Sequence, residues 1–345
     1  MYGSVIGLLL TGCTPADETS EDANFIYRDD TDTAGTDSGG DTGGEDTAEG
    51  DTGSSLKQVD CDEPLLAPSD LEVLPVYGAR GYHGLVFDSE GHIIGNHNNA
   101  LYQADSSGQS GVFIPNMGTL DQMDYLPNGD LVVASRTTGE IRRFTSEGGM
   151  TILASGLWSY GLMLGPDEML YTANNQRVYR IDPDTGESEI LVDNVLSGGV
   201  PRVINFSPDL SRLYIGTLSN AGRVFYLPLD EDLNPAGEPE LFAVGVGGGY
   251  HDGLGVDVCG NLYIPDYTSR SLYRVSHEGE VELLWASAIL TQYPHGVSWG
   301  TGRDGWDDLS IYLPQPYNDN TVVQIDLQIP YRTWEGTVLN APWMK

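Results

Sequence analysis

Six polar residues recur at one position of a repeating pattern, and together they could do chemistry. His83 stands eight residues before Gly91, Asp121 eight before Gly129, Tyr160 eight before Glu168 and Asp252 eight before Gly260. Aligning two looser repeats adds Arg202 and His295. Asp252, His83 and His295 are residue types that hold a divalent metal, which would polarise a carbonyl or lower the pKa of a bound water. Asp121 or the neighbouring His251 could then move the proton, while Arg202 and Tyr160 position a substrate or stabilise developing negative charge. Two enzyme classes are excluded at this stage. The single G-x-S-x-G match, Gly296–Gly300, lies in a strand repeat with no following helical pattern to form a nucleophile elbow. No cysteine is placed for nucleophilic attack, and there is no glycine-rich phosphate loop.

The elements that must position these residues are strands. The segments "GLVFDSEGHIIGN", "QMDYLPNGDLVVAS", "GLMLGPDEMLYTAN", "VINFSPDLSRLYIGT", "GLGVDVCGNLYIPD" and, more loosely, "GVSWGTGRDGWDDLSIYLP" share one form. Each is an apolar or alternating strand, a turn rich in Asp, Gly, Pro or Asn, and a second β-rich strand. A third strand follows most of them ("EIRRFTS", "RVYRIDP", "SLYRVSH") and often a fourth ("MTILAS", "VELLWA"). No stretch sustains a helical period. The pattern predicts an all-β chain, a six-bladed β-propeller of four-stranded blades. The last repeat lacks an outer strand, and "DLEVLPVY" from Asp70 is expected to supply it and close the ring. The first strand of each blade lines the central channel, so the six residues should converge at one mouth.

Composition divides the chain of 345 residues unevenly. From Thr14 to Glu63 there are sixteen Asp and Glu against two Lys and Arg, within an overall formal charge of −35. Text such as "DTAGTDSGGDTGGEDTAEGDTG" has almost nothing to bury, so residues 14–63 are expected to form a disordered, self-repelling tether. Residues 64–345 are expected to form the propeller. Its acidity argues against nucleic-acid binding, which needs Lys and Arg to neutralise phosphates. The run "SVIGLLLTGC" resembles a bacterial lipobox. That resemblance implies a leader over residues 1–13, lipidation at Cys13, and export to the periplasmic face or cell surface with a membrane anchor. Cys61 and Cys259 then remain as a pair, and an exported chain lies where disulfides persist.

"RVFYLPLDEDLNPAGEPELFAV" followed by "YHDGLGVDVCGNLYIPDY" resembles the senescence-marker-protein, gluconolactonase and regucalcin family of six-bladed propellers. The likeness is best over 201–286. It implies a lactone or ester hydrolase with one divalent cation at the channel mouth. In that family the cation is held by a Glu opening an early blade, an Asn of a "PNG" motif and the Asp of a "PDG" motif. Asp252 matches the last outright. The Glu position carries His83 before Gly84, and the Asn position carries Arg202, with Asn205 nearby. Histidine for glutamate moves ligation from calcium toward zinc. An arginine beside a hard cation is unfavourable, but it could fix a substrate carboxylate.

Two other readings stand beside the metal-dependent hydrolase. One is a non-catalytic propeller that binds a small molecule or protein. The other is a zinc lyase similar to the lyase domain of peptidylglycine amidating enzymes, to which His83, His295, Tyr160 and Arg202 correspond in residue kind. The chain is expected to be a monomer that takes a small-molecule substrate or ligand. His92, His97 and His277 are expected at solvated turn or outer positions, "GNHNN" in a blade loop, "VGVGGGY" as a connector, and Trp306 capping a blade edge.

Overall fold

The computed structural model describes residues 59–332 apart from 146–147, 175, 194–195, 197, 220 and 289–291. The expected leader, Cys13 and nearly all of the tether lie outside the described residues. Blade 1 comprises β2 (Leu85–Phe87), β3 (Ile93–His97), β4 (Ala100–Ala104) and β5 (Ser110–Ile114). Blade 2 comprises β6 (Met123–Tyr125), β7 (Leu131–Ser135), β8 (Glu140–Phe144) and β9 (Met150–Ser155). Blade 3 has β10 (Gly161–Leu164), β11 (Leu170–Ala173), β12 (Arg177–Ile181) and β13 (Ser188–Asp193). Blade 4 has β14 (Gly199–Phe206), β15 (Arg212–Ser219), β16 (Val224–Pro228) and β17 (Glu240–Ala243). Blade 5 has β18 (Gly255–Val256), β19 (Leu262–Asp266), β20 (Ser271–Val275) and β21 (Val281–Ala286).

Blade 6 is made from both ends of the folded region. Its inner three strands are β22 (Ser298–Trp299), β23 (Ser310–Gln315) and β24 (Thr321–Asp326), and its outer strand is β1 (Val73–Val76). Val73 pairs with Ile325 and Val76 with Val322, antiparallel, so the expected closure by the early segment is present. The Cys61–Cys259 disulfide adds a second tie between this end of the chain and blade 5. Among the described residues no helix is long and apolar enough to cross a membrane.

The recurring turn explains why the eight-residue count works. Gly91, Gly129 and Gly260 have φ of 82°, 86° and 85°, and Glu168 and Leu210 take the same left-handed position at 61° and 60°. A turn of this kind favours glycine but tolerates other residues at a cost. The register therefore survives where glycine is missing. Asp121, Tyr160, Asp252 and His295 each donate their backbone N–H to the carbonyl of the adjacent strand, at Ala134, Ala173, Pro265 and Pro314, over 2.9–3.0 Å.

The core is divided among the seams between blades. Tyr171, Val178 and Phe206 pack with Leu213 and Phe225 between blades 3 and 4. Phe87 meets Trp306 and Tyr312 edge-on between blades 1 and 6. Trp306 is buried there and donates its indole N–H to Gly91 O at 2.8 Å, so it fills a seam rather than capping an edge. Each sheet face alone could not exclude water, and stacking radially against its neighbours does so. His97 also departs from expectation. It is buried at the end of β3, hydrogen-bonded to Asn98 and Asn320, and "GNHNN" is a strand end plus a tight hairpin turn at Asn98–Asn99.

Candidate active site

All six counted residues are buried and meet at one mouth of the channel: none exceeds 3% exposure. His83, Asp121, Tyr160, Asp252 and His295 sit just before the first strands of their blades, whereas Arg202 lies inside β14. The pairing of β14 with β15 shifts between Pro201 and Val203, and Arg202 is the extra residue. A bulge re-aims a side chain without breaking the rest of the ladder. Glycines beside the site let neighbouring backbones close in. A Cβ on Gly161 would sit 2.8 Å from Arg202 O, and one on Gly296 would sit 2.2 Å from His83 O.

Arg202 and Asp252 form the centre. The guanidinium donates from Nε and Nη2 to Asp252 Oδ1 at 2.8 and 2.6 Å. It is held between two aromatic faces, 3.5 Å from the Tyr160 centroid and 4.2 Å from that of Tyr250. Burial alone would lower its pKa, but Tyr160, Asp252 and Tyr250 outweigh burial and hold it above the usual arginine range. Such a charge persists in a buried place because its counter-charge and both ring faces are fixed.

The histidines complete the network. His295 Nε2 lies 3.2 Å from Asp252 Oδ2, His295 Nδ1 lies 2.6 Å from His83 Nδ1, and Tyr160 Oη lies 2.5 Å from His83 Nδ1. Burial is the main cause holding both imidazoles neutral, with His295 lowered to about 4 and His83 well below its ordinary value. The tautomers can be assigned from the network. A ring nitrogen facing the Asp252 carboxylate takes the proton, so His295 Nε2 is N–H and its Nδ1 is bare. His83 Nδ1 must then carry the proton shared with His295 and Tyr160. His83 Nε2 is left as a bare lone pair, 3.8 Å from Asp121 Oδ1.

Asp121 differs from Asp252. Its Oδ2 accepts the Arg136 backbone N–H at 2.6 Å, and Arg136 Nε lies 3.8 Å from its Oδ1. Burial is the largest influence and raises its pKa to about 6, with Arg136 opposing. Four atoms of this cluster are buried without a hydrogen-bond partner: His83 Nε2, Asp121 Oδ1, Asp252 Oδ2 and His295 Nε2. Buried polar atoms left this way are costly, and their clustering singles out this mouth as the candidate site. Three of their residues, His83, Asp252 and His295, line a cavity of about 130 Å³ together with Arg136, Arg202 and four tyrosines.

Two expected residues have other duties. His251 is buried with both nitrogens engaged: Nδ1 accepts the Thr217 N–H and Nε2 bonds Val246 O, each at 3.0 Å. It pins the "VGVGGGY" segment and has no lone pair for proton transfer. Asp266 holds the same segment through the Gly248 and Tyr250 N–H groups. The connector is therefore a fixed support that sets Tyr250 against Arg202. Asn205 donates to Leu254 O at 2.8 Å and does not replace the missing asparagine ligand.

The residues at the three family metal positions do not fit a resident divalent cation. Arg202 stands at the asparagine position and brings its guanidinium onto Asp252, the one matching ligand, and a fixed cationic side chain there disfavours a second positive charge. Among the described residues no three His, Cys, Asp or Glu side chains are arranged to hold a metal. Arginine supplies a fixed positive charge where a cation would stand. The eight-residue count did not reach Arg136, Tyr82, Tyr250, Tyr267 and Tyr317, which also line the cavity. Part of that was legible: a tyrosine precedes the channel residue by one or two positions at Tyr82, Tyr250 and Tyr293.

Comparison with known proteins places the fold. No protein-family model matches the chain, and no curated protein does. Solved structures do. A gluconolactonase from Xanthomonas campestris, at 13% identity and a TM-score of 0.61, covers 76% of this chain and 91% of its own. A calcium-binding regucalcin from Agrobacterium tumefaciens gives 15%, 0.61, 76% and 96%. A virginiamycin B lyase from Staphylococcus aureus gives 14%, 0.54, 74% and 99%. The chain has the six-bladed propeller fold of the gluconolactonase and regucalcin structures.

Proposed function

We propose that this propeller is a hydrolase that opens a small lactone or ester at the channel mouth by acid–base catalysis. The observation that supports it best is the bare His83 Nε2, which lies 3.8 Å from the unpartnered Asp121 Oδ1 and lines a cavity with two guanidinium groups. In the step, His83 Nε2 removes a proton from water as the water oxygen attacks the carbonyl carbon. Arg136 and Arg202 stabilise the negative charge on the carbonyl oxygen. The imidazolium beside the Asp121 carboxylate returns the proton to the departing alkoxide, giving a hydroxy acid from a lactone. Asp252, His295 and Tyr160 hold the tautomer and the ring of His83. No metal takes part in this reading, because Arg202 already engages Asp252. The gluconolactonase neighbours support the reaction class. The lipobox-like run and the Cys61–Cys259 disulfide support an exported, lipid-anchored placement.

The test is pH-stat turnover of a panel of small lactones and esters by the full chain, before and after exhaustive chelation, beside His83→Gln. Turnover that survives chelation and falls by about a hundredfold in the variant is expected. Loss of turnover on chelation, restored by one metal, would overturn the metal-free step. No turnover of any member, with tight binding of one, would make the chain a binding propeller.

A further inference from the structure

The cavity is walled unequally, and that inequality carries a statement about substrate. On one side stand Tyr82, Tyr250, Tyr267 and Tyr317, with Tyr293 behind them. Tyr267 is the hub. Its ring stacks on Tyr293 at 4.8 Å and 27°, and lies 5.2 Å from Tyr250 and 5.9 Å from Tyr317. Tyr293 meets Tyr317 edge-on at 5.2 Å, and Tyr82 meets His83 edge-on at 4.2 Å. These residues come from the loops of blades 5, 6 and 1. Arg136, which follows β7 in blade 2, and Arg202 of blade 4 supply the positive charge.

Tyrosines arranged as a cage can take a quaternary ammonium, a sugar face or an aromatic ring. Two guanidiniums lining the same cavity oppose a cation. The cavity of about 130 Å³ is close to the roughly 150 Å³ known to accept one benzene ring. Ring-to-ring contacts among the tyrosines already use edge-to-face and stacked geometries, which a further planar ring can extend. Tyr317 is half exposed, so a ring entering from solvent would cover it.

We propose that the collar selects substrates in which a single aromatic ring is attached to the reacting carbonyl unit. The ring lies against Tyr267 and Tyr317, and the carbonyl oxygen points toward Arg136. This rests on the hydrolase reading for turnover, but the binding preference stands apart from it.

The experiment therefore has two arms. In the first, kcat/KM is measured for isochroman-3-one and for δ-valerolactone, which share a six-membered lactone and an alkoxide leaving group. The aromatic lactone is expected to be favoured by about tenfold, and Tyr317→Ala is expected to erase most of that ratio. In the second, phenylacetate, acetate and choline are titrated calorimetrically into the full chain, Tyr267→Ala and Tyr317→Ala, with circular dichroism confirming that each variant is folded. Phenylacetate should bind the parent in preference to both others and bind the variants about tenfold more weakly. That result without any lactone turnover would keep the collar and overturn the hydrolase. Equal turnover of both lactones, or preference for acetate or choline, would overturn the collar.

Discussion

Asp252 and Asp257 lie five residues apart at the two ends of one short strand segment, and both are fully buried. Asp257 is saturated. It accepts the N–H groups of Cys259 and Asn261 at 2.9 Å, the Asn261 amide at 2.8 Å and the Tyr263 hydroxyl at 3.0 Å. Asp252 gives Oδ1 to Arg202 and keeps Oδ2 without an aligned partner. The first is a turn built around a carboxylate, and the second is a carboxylate aimed at a cavity. Burial and residue type are identical, so the accounting of lone pairs separates structure from function.

The largest test of that contrast is to remove the charge of Asp252. Asp252→Asn leaves the Arg202 guanidinium buried without a counter-charge, which should cost about 3–5 kcal/mol in denaturant unfolding. Turnover should fall by at least about a hundredfold. The double change Arg202→Met with Asp252→Leu should recover most of the stability and none of the activity. Recovery of activity would show that the pair only supports the fold.

Asp257→Ala probes the other carboxylate. Four donors lose their acceptor, so a cost of about 3 kcal/mol is expected, with kcat/KM unchanged. A drop in kcat/KM at full folding would erase the distinction. Opening the disulfide by Cys61→Ser with Cys259→Ser should remove about 2–4 kcal/mol, seen as a Tm lower by roughly 5–10 °C, again without a change in KM.

The smallest effect concerns pH. Asp121 has its pKa raised to about 6, so kcat/KM should rise as pH passes that value and Asp121 ionises beside His83. The stability linkage has the opposite sign. A raised folded pKa contributes stability that is fully present below the unfolded value and lost as pH rises through about 6. Asp121→Asn should remove both dependences. It should flatten the activity limb and make unfolding less sensitive to pH between about 4 and 7. A limb that persists in Asp121→Asn would place the titration elsewhere.

Much of the fold was legible because the turn imposes a left-handed residue at a constant distance from the channel. That distance holds even at Glu168 and Leu210, so Tyr160 and Arg202 could be counted without a glycine to mark them. The site was legible as a set of positions but not as a set of roles. Whether His251 or Asp121 moves a proton depends on which lone pairs the backbone consumes, and a sequence does not record that. Arg202 on Asp252 was foreseeable as a conflict with a metal, but its sandwich between Tyr160 and Tyr250 needed three dimensions. The tyrosine collar escaped because Tyr267 and Tyr317 sit in loops after the second strands, outside the counted register.

Blade 6 draws its outer strand from Val73–Val76 and its inner strands from residues beyond 298. During synthesis the early strand must wait until β24 has left the ribosome, more than two hundred residues later. His295 also arrives last among the six site residues. A nascent chain that has completed five blades therefore holds two exposed blade faces and an unfinished mouth, and it is at greatest risk of aggregation there. Completion of the channel mouth and closure of the ring are reached in the same final step of assembly.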